Sequence, residues 1–225
     1  MKKSILFLLL LSLCLSCSSS KNSEEFINKV EGRYLFNANE VLEVYFKEQD
    51  LFIKWRGKKD IKPLKVSDNS FYMKEMNEKL IFATDPNVHI YLSEKTEHKG
   101  VKYHFKKMDI NEKTPHEYFE NKEYNKALEG YLKIKEQDSL NPIIREYKIN
   151  GIGYSYIREK ELEKAIEIFR INTELHSNSS NTFDSLAEAY LKNKDTANAI
   201  INFKKALSIN SENESAKRNL KKITK

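Results

Sequence analysis

The sequence predicts an α+β chain, with an N-terminal antiparallel β meander curled into a half-barrel or small barrel and an all-α stack of helical hairpins after it. Three observations predict this. Between Glu31 and Met108 apolar residues come in short alternating runs separated by polar turns. From Thr114 onward the apolar residues follow a helical period instead. Within that second region, the residues that interlock paired helices return after thirty-four positions.

The first element stands outside both regions. Lys2 and Lys3 precede an apolar run from Ile5 to Leu13, and Cys14-Leu15-Ser16-Cys17 follows, the layout of a secretory signal over residues 1–16. The run is too short for a membrane span, which takes about 20 apolar residues. Leu15-Ser16-Cys17 resembles the end of a bacterial lipobox, although Cys14 stands where Leu is usual. The resemblance implies lipidation of Cys17 and a protein exported and held on the bacterial cell envelope, with the outer membrane the expected site. A plain cleaved signal is the alternative. Residues 17–25, including Ser18-Ser19-Ser20-Lys21-Asn22-Ser23, read as a polar tether. Both cysteines, Cys14 and Cys17, lie in this segment, so the rest of an exported chain relies on packing and not on a disulfide.

Charge excludes few partners but speaks against nucleic acid. The net charge of +6 comes from 39 basic and 33 acidic residues, and loss of residues 1–16 removes two lysines and no acid, leaving +4. Cations are interspersed with carboxylates except in the tail (Lys217, Arg218, Lys221, Lys222, Lys225), which reads as a solvated surface. No nucleic-acid motif is present.

Residues 26–110 form the β domain. The runs are Val41-Leu42-Glu43-Val44-Tyr45-Phe46, Leu51-Phe52-Ile53-Lys54-Trp55, Phe71-Tyr72-Met73, Leu80-Ile81-Phe82, Val88-His89-Ile90-Tyr91-Leu92 and Val101-Lys102-Tyr103-His104-Phe105. Each has strand length and β-branched or aromatic content. Their short connections favour antiparallel neighbours and a meander of about seven or eight strands. Trp55, Phe52 and Tyr72 are either plain core or the lining of a barrel mouth that takes a small apolar ligand. Among the histidines His89, His98, His104, His116 and His176 none has metal-ligand spacing, so no metal or other cofactor is expected. His89 and His104 are placed to face each other across strands.

The helical region runs over residues 112–222. Gly153 aligns with Ala187, Tyr156 with Tyr190, Ala165 with Ala199 and Phe169 with Phe203, each pair thirty-four apart. Tyr118, Ala127 and Tyr131 form an earlier, partial copy offset by thirty-eight, which puts about four extra residues near Asn141-Pro142. These residues resemble the tetratricopeptide repeat: a small residue where helices approach, an aromatic closing the first helix, then Ala and an aromatic on the second. The resemblance implies repeats at about 112–141, 146–179 and 180–213, a capping helix from Glu214 to Ile223, and a stack with a concave binding groove. Ser177 and Ser211 replace the usual Pro at the repeat ends.

Further stretches resemble regions appended to bacterial beta-lactamase-like and esterase-like serine hydrolases. They are Asn150-Gly151-Ile152-Gly153-Tyr154, Ile168-Phe169-Arg170-Ile171-Asn172 and Asn181 through Tyr190. The strand region is similar to the small domain behind such catalytic domains, through Glu31-Gly32-Arg33-Tyr34, Leu51-Phe52-Ile53, Leu80-Ile81-Phe82 and Tyr103-His104-Phe105. The catalytic domain itself is missing from the sequence. Ser-x-x-Lys occurs only as Ser18-Ser19-Ser20-Lys21 in the tether, there is no Gly-x-Ser-x-Gly elbow, and Lys95-Thr96 and Lys113-Thr114 are followed by Glu97 and Pro115 instead of Gly. No catalytic residue is assigned, and the chain reads as a binding module.

Candidate groove residues follow from helical spacing. Tyr147, Asn150, Tyr154 and Arg158 share one face of the first helix of a repeat, and Asp184 and Glu188, four apart, share the matching face in the next. Tyrosine offers contact area at low entropy cost, and two carboxylates suit a basic side chain or free amine of a peptide. A structural reading stands beside this one: Asn181 caps the helix, and Asp184 favours its positive end. Asn172 stands where a plain repeat has Ala and reads as a buried amide fixing the angle between the last two repeats. Three functions remain open: capture of an unknown protein or peptide partner, a β domain binding a lipid or small molecule, and a hydrolase subunit acting in trans.

Overall fold

A computed structural model describes residues 21–93 and 104–224. The signal sequence, Cys17 and residues 101–103 of the last expected strand lie outside the described residues. The chain divides into two units, Met1–Glu112 and Lys113–Lys225.

The first unit is an antiparallel half-barrel. A short helix, α1 (Glu24–Val30), leads into nine strands: β1 (Gly32–Asn37), β2 (Glu40–Lys47), β3 (Asp50–Trp55), β4 (Lys58–Ile61), β5 (Leu64–Ser67), β6 (Ser70–Met73), β7 (Glu78–Ala83), β8 (His89–Leu92) and β9 (His104–Lys107). Their order in the sheet is β4-β3-β2-β1-β9-β8-β7-β6-β5. Every sequence neighbour pair except β4 and β5 is therefore bonded, β1 joins β9, and the ring stays open between β4 and β5. Those two strands are consecutive in sequence, separated by Lys62 and the buried Pro63. Pro and the charges of Lys58, Lys59 and Asp60 suit strands whose outer edge is unpaired.

Alternation decides what faces inward. Leu42 and Val44, Leu51, Ile53 and Trp55, Phe71 and Met73, Leu80 and Phe82, Ile90 and Phe105 are all buried in one cluster. Helix α1 was not foreseen, and it completes this core. Ser23 caps it by accepting from the Phe26 N–H, and Phe26 packs its ring 5.7 Å from Phe82 and 6.0 Å from Phe71. Its C-terminal carbonyls are capped by the Tyr34 hydroxyl on Val30 (2.7 Å) and by the Lys107 ammonium on Lys29 (2.6 Å). Ahead of the helix, Asn22 donates to the Gln49 carbonyl from both its backbone and its amide, and Lys21 reaches the Glu48 carbonyl. Residues 21–25, assigned to the tether, are thus built into the half-barrel, because this turn supplies backbone acceptors for them.

Trp55, Phe52 and Tyr72 do not gather at a mouth. Trp55 faces inward, with Phe36 at 5.5 Å; Phe52, at odd spacing from it, lies outside against Tyr45, and the Tyr72 hydroxyl donates to Asn77. His89 and His104 do meet, with ring centroids 5.2 Å apart across β8 and β9. Among the described residues no group of three or more His, Cys, Asp or Glu is placed to hold a metal.

The second unit contains α2 (Pro115–Glu120), α3 (Tyr124–Gln137), a 3-10 turn (Pro142–Ile144), α4 (Glu146–Arg158), α5 (Leu162–Leu175), α6 (Ser180–Lys192), α7 (Thr196–Ile209) and α8 (Glu214–Ile223). Helices α2 and α3, α4 and α5, and α6 and α7 pack as hairpins, and α8 packs on α7. The aligned residues sit where a repeat needs them: Ala127, Ala165 and Ala199 are fully buried, as are Tyr131, Phe169 and Phe203. The extra length near Asn141-Pro142 is taken up by the three-residue 3-10 turn, whose first donor is capped by Asn141. The architecture is the one the sequence predicts, a half-barrel followed by stacked helical hairpins.

Candidate functional site

The face of interest is made by the first helices of successive hairpins, and polar side chains tie those helices together. The Tyr154 hydroxyl on α4 donates to the Glu188 carboxylate on α6 at 3.0 Å and lies 3.2 Å from the Ser185 hydroxyl. One hairpin earlier, the Tyr156 hydroxyl donates to Glu120 at 2.5 Å, and Lys164 bridges Glu120 and Glu161. Burial works against ionised Glu120, but the bonds from Tyr156 and Lys164 outweigh it and hold the carboxyl below its usual range. At the helix starts, Asn181 donates to Glu146 at 2.8 Å and Asn213 to Ser180 at 2.8 Å. These bonds recur because equivalent positions on stacked helices lie side by side.

Six residues were expected to form the groove. Tyr154 and Glu188 are joined directly, and Asp184 lies close enough to act electrostatically on both Tyr154 and its neighbour Glu188. Tyr154 packs edge-on against Phe169 at 5.2 Å. Burial first, and the nearby Glu188 carboxylate after it, push its phenol up to about 12, so it stays a donor. Tyr147 is 60% exposed at the start of α4, under the Lys148 ammonium, and Arg158 is exposed at the other end. Asn150 is half-buried, and its Oδ1 has no hydrogen-bond partner. These last three share the face by helical period, without a contact that binds them to the Tyr154–Glu188 pair.

Asp184 departs from expectation. It is 7% exposed and α8 lies against it, where Ser215 and the positive charge of Arg218 both act to lower its pKa. Burial nevertheless dominates and raises its pKa, with Glu188 adding to the rise, and its Oδ1 has no partner. Two further assignments are corrected. Asn181 does not cap α6: the N-cap position falls on Ser179, whose side chain makes no capping bond, and Asn181 spends its amide on Glu146 because the two helix starts lie side by side. Asn172 is fully buried as expected, but it donates to the Glu146 carbonyl at 3.2 Å. It therefore ties α5 to α4 within one hairpin, not the last two repeats to each other. Ser185 and Ser215 were missed, since a lone serine in a helix carries no pattern of its own.

Gly153 explains how tightly α4 and α5 approach. A Cβ there would lie 2.4 Å from the Phe169 ring, so no side chain fits without moving the aromatic plug.

With this geometry in hand, the third hairpin can be assigned. A tetratricopeptide repeat family model matches residues 181–213, and the chain therefore carries such a repeat there. Solved structures similar to the chain are tetratricopeptide domains. The Sgt2 domain from Aspergillus fumigatus is 20% identical over 49% of this chain and 72% of its own, with a TM-score of 0.35. The second such domain of human RPAP3, in complex with an HSP70 peptide, is 21% identical over 49% and 89%, with a TM-score of 0.35. The first domain of Spaghetti (RPAP3), bound to an HSP90 peptide, is 18% identical over 49% and 84%, also at 0.35. A search of curated proteins returned no match.

Proposed function

We propose that the repeat unit holds an extended, positively charged segment of a partner protein along α4 and α6, as a non-catalytic lipoprotein of the bacterial envelope. One observation carries this reading: Asp184 and Glu188 stand one turn apart, and the buried member keeps an oxygen without a partner. Like charges at this spacing destabilise a helix by a few tenths of a kcal/mol. Burial adds to that cost. A carboxyl whose folded pKa is raised contributes stability below its unfolded pKa and loses it as pH rises through the folded value. Ionised Asp184 is thus a burden at neutral pH, and a partner's cation drawn to the half-buried Glu188 one turn away lessens it. Tyr154 and the exposed Tyr147 supply the contact area alongside.

Asp184→Asn separates this from a structural role. The variant is expected to melt at a higher temperature than the parent at pH 7, with the gain fading as acid protonates the parent, while crosslinked capture of partners in intact cells falls. Unchanged capture by Asp184→Asn and Tyr154→Phe together would remove the face from the binding site. Cys17→Ala is expected to release the chain from membranes washed in high salt, and persistence there would refute the anchor. The likeness to regions that follow serine hydrolase domains makes a bare hydrolase the first partner to try, read as a change in its rate on mixing. The interior of the half-barrel is filled by its own aromatic residues, which weighs against a small ligand inside it.

A further inference from the structure

Helix α8 presents two faces of opposite chemistry. Ala216 is buried, and Leu220 and Ile223 pack into the cluster built by Ala187, Ala199, Phe203 and Ala206. The other side carries Glu214, Lys217, Arg218, Lys221 and Lys222, which together line one shallow concavity of about 380 Å³. Their spacing of three, four, seven and eight residues is that of a single helical stripe.

The stripe differs from the rest of the unit in sign. Several cations elsewhere are matched, Lys122 with Glu163, Lys164 with Glu161 and Glu120, Arg170 with Glu167, and those left without a carboxylate among the described residues, such as Lys204 and Lys205, do not line a common concavity with others. On α8 four cations face one carboxylate of the stripe. Lys217 pairs with Glu214 and Glu212, and Arg218 leans its charge toward Asp184. Lys221 and Lys222 lie in the last turn, where the negative end of the helix favours them without neutralising them.

We infer that this face of α8 docks on the anionic headgroups of a phospholipid bilayer, a contact that meets the Asp184–Glu188 face only through Arg218 and does not depend on any lipid on Cys17. Charge complementarity selects the occupant. The concavity is lined by no aromatic or aliphatic residue, so it lacks the apolar centre on which protein interfaces rely. A plane of phosphates requires only charge within a Debye length, about 10 Å at 0.1 M salt. Each Lys or Arg brought to such a surface strengthens partition by about fivefold.

The test uses the full chain carrying Cys17→Ala, mixed with phosphatidylcholine vesicles with or without phosphatidylglycerol and sedimented. Only the increment due to the anionic lipid is read, which sets aside whatever the apolar leader contributes to both. The increment is expected to be present at low salt, to vanish at high salt, and to fall by more than about 25-fold in Lys221→Glu/Lys222→Glu. Lys221→Gln/Lys222→Gln removes two charges at about fivefold each and should lose about 25-fold, and serves as the deciding variant if charge reversal unfolds α8. Lys204→Glu/Lys205→Glu on α7 makes the same change in net charge and should keep most of the increment. Equal losses from the α7 and α8 pairs would overturn the inference, because net charge alone would then explain binding. So would a parent chain with no preference for anionic vesicles, a result that would turn the face over to an acidic protein.

Discussion

The two units solve the problem of making a core in opposite ways. The half-barrel uses bulk: fourteen buried apolar residues from α1 and eight of the nine strands meet in one cluster, and Phe26, Phe71 and Phe82 contact one another directly. The repeats use closeness. Gly153, Ala165, Ala187 and Ala199 bring helices together, one aromatic plugs each hairpin, and polar bonds such as Tyr154–Glu188 join one hairpin to the next. A shared core couples distant strands, whereas stacked hairpins couple mainly to their neighbours. The difference teaches where function can be placed. A polar face can be altered between hairpins at small cost, while the inward face of the half-barrel has no position to spare.

The sharpest way to break that comparison is to remove one aromatic plug from each unit. Phe82→Ala and Phe169→Ala should each cost about 3–5 kcal/mol, the usual range for a buried Phe. Amide exchange should separate them. Phe82→Ala is expected to reduce protection across the strands of its cluster together, and Phe169→Ala mainly in α4, α5 and their immediate neighbours. Uniform loss through α2 to α8 would show that the repeats share one cooperative core after all.

Gly153→Ala tests closeness itself. The added methyl meets a rigid ring at 2.4 Å, so a loss of about 1–3 kcal/mol is expected, the range for overpacking. Ala187, the aligned residue one hairpin later, already carries that methyl and is fully buried. A neutral Gly153→Ala would mean that α4 and α5 can relax to the spacing of α6 and α7.

How much of this was legible in the sequence followed the same division. The repeats were readable because identical positions recur, and their partners could be named before any coordinates. The half-barrel was readable where alternation is strong, as in Leu51-Phe52-Ile53, and not at its edges. Strand β4 is Lys58-Lys59-Asp60-Ile61, with one buried apolar residue, and β5 turns Leu64 and Val66 outward. Edge strands are recruited by their neighbours' backbone groups, which leave no trace in hydrophobic pattern. Helix α1 was hidden because seven residues show barely two turns of period, although Ser23 before Glu24-Glu25 is a start signal. In the candidate site, spacing put Asp184 and Glu188 on one face correctly. That α8 would lie against Asp184 was not foreseen, since Ser215 and Arg218 lie outside the matched repeat.

The smallest expected effect lies in a feature common to all three hairpins. Lys122, Lys160 and Lys194 hold positive φ of 61°, 65° and 64° at the turn between paired helices. In each, the lysine N–H bonds three residues back, and the next N–H bonds to the carbonyl of the aligned tyrosine, Tyr118, Tyr156 or Tyr190. This is the left-handed helix stop that glycine usually fills. A side chain there costs about 1–2 kcal/mol, and glycine gives back roughly 0.5–1 kcal/mol through the freedom it adds to the unfolded chain. Lys160→Gly should therefore stabilise the repeat unit by about 0.5 kcal/mol in urea denaturation. The same substitution at Lys194 should match it, because nearest-neighbour units respond alike to the same local change. A clear loss at either turn would mean that its lysine makes contacts worth more than the strain of its backbone, and that the hairpins are less interchangeable than their recurrence implies.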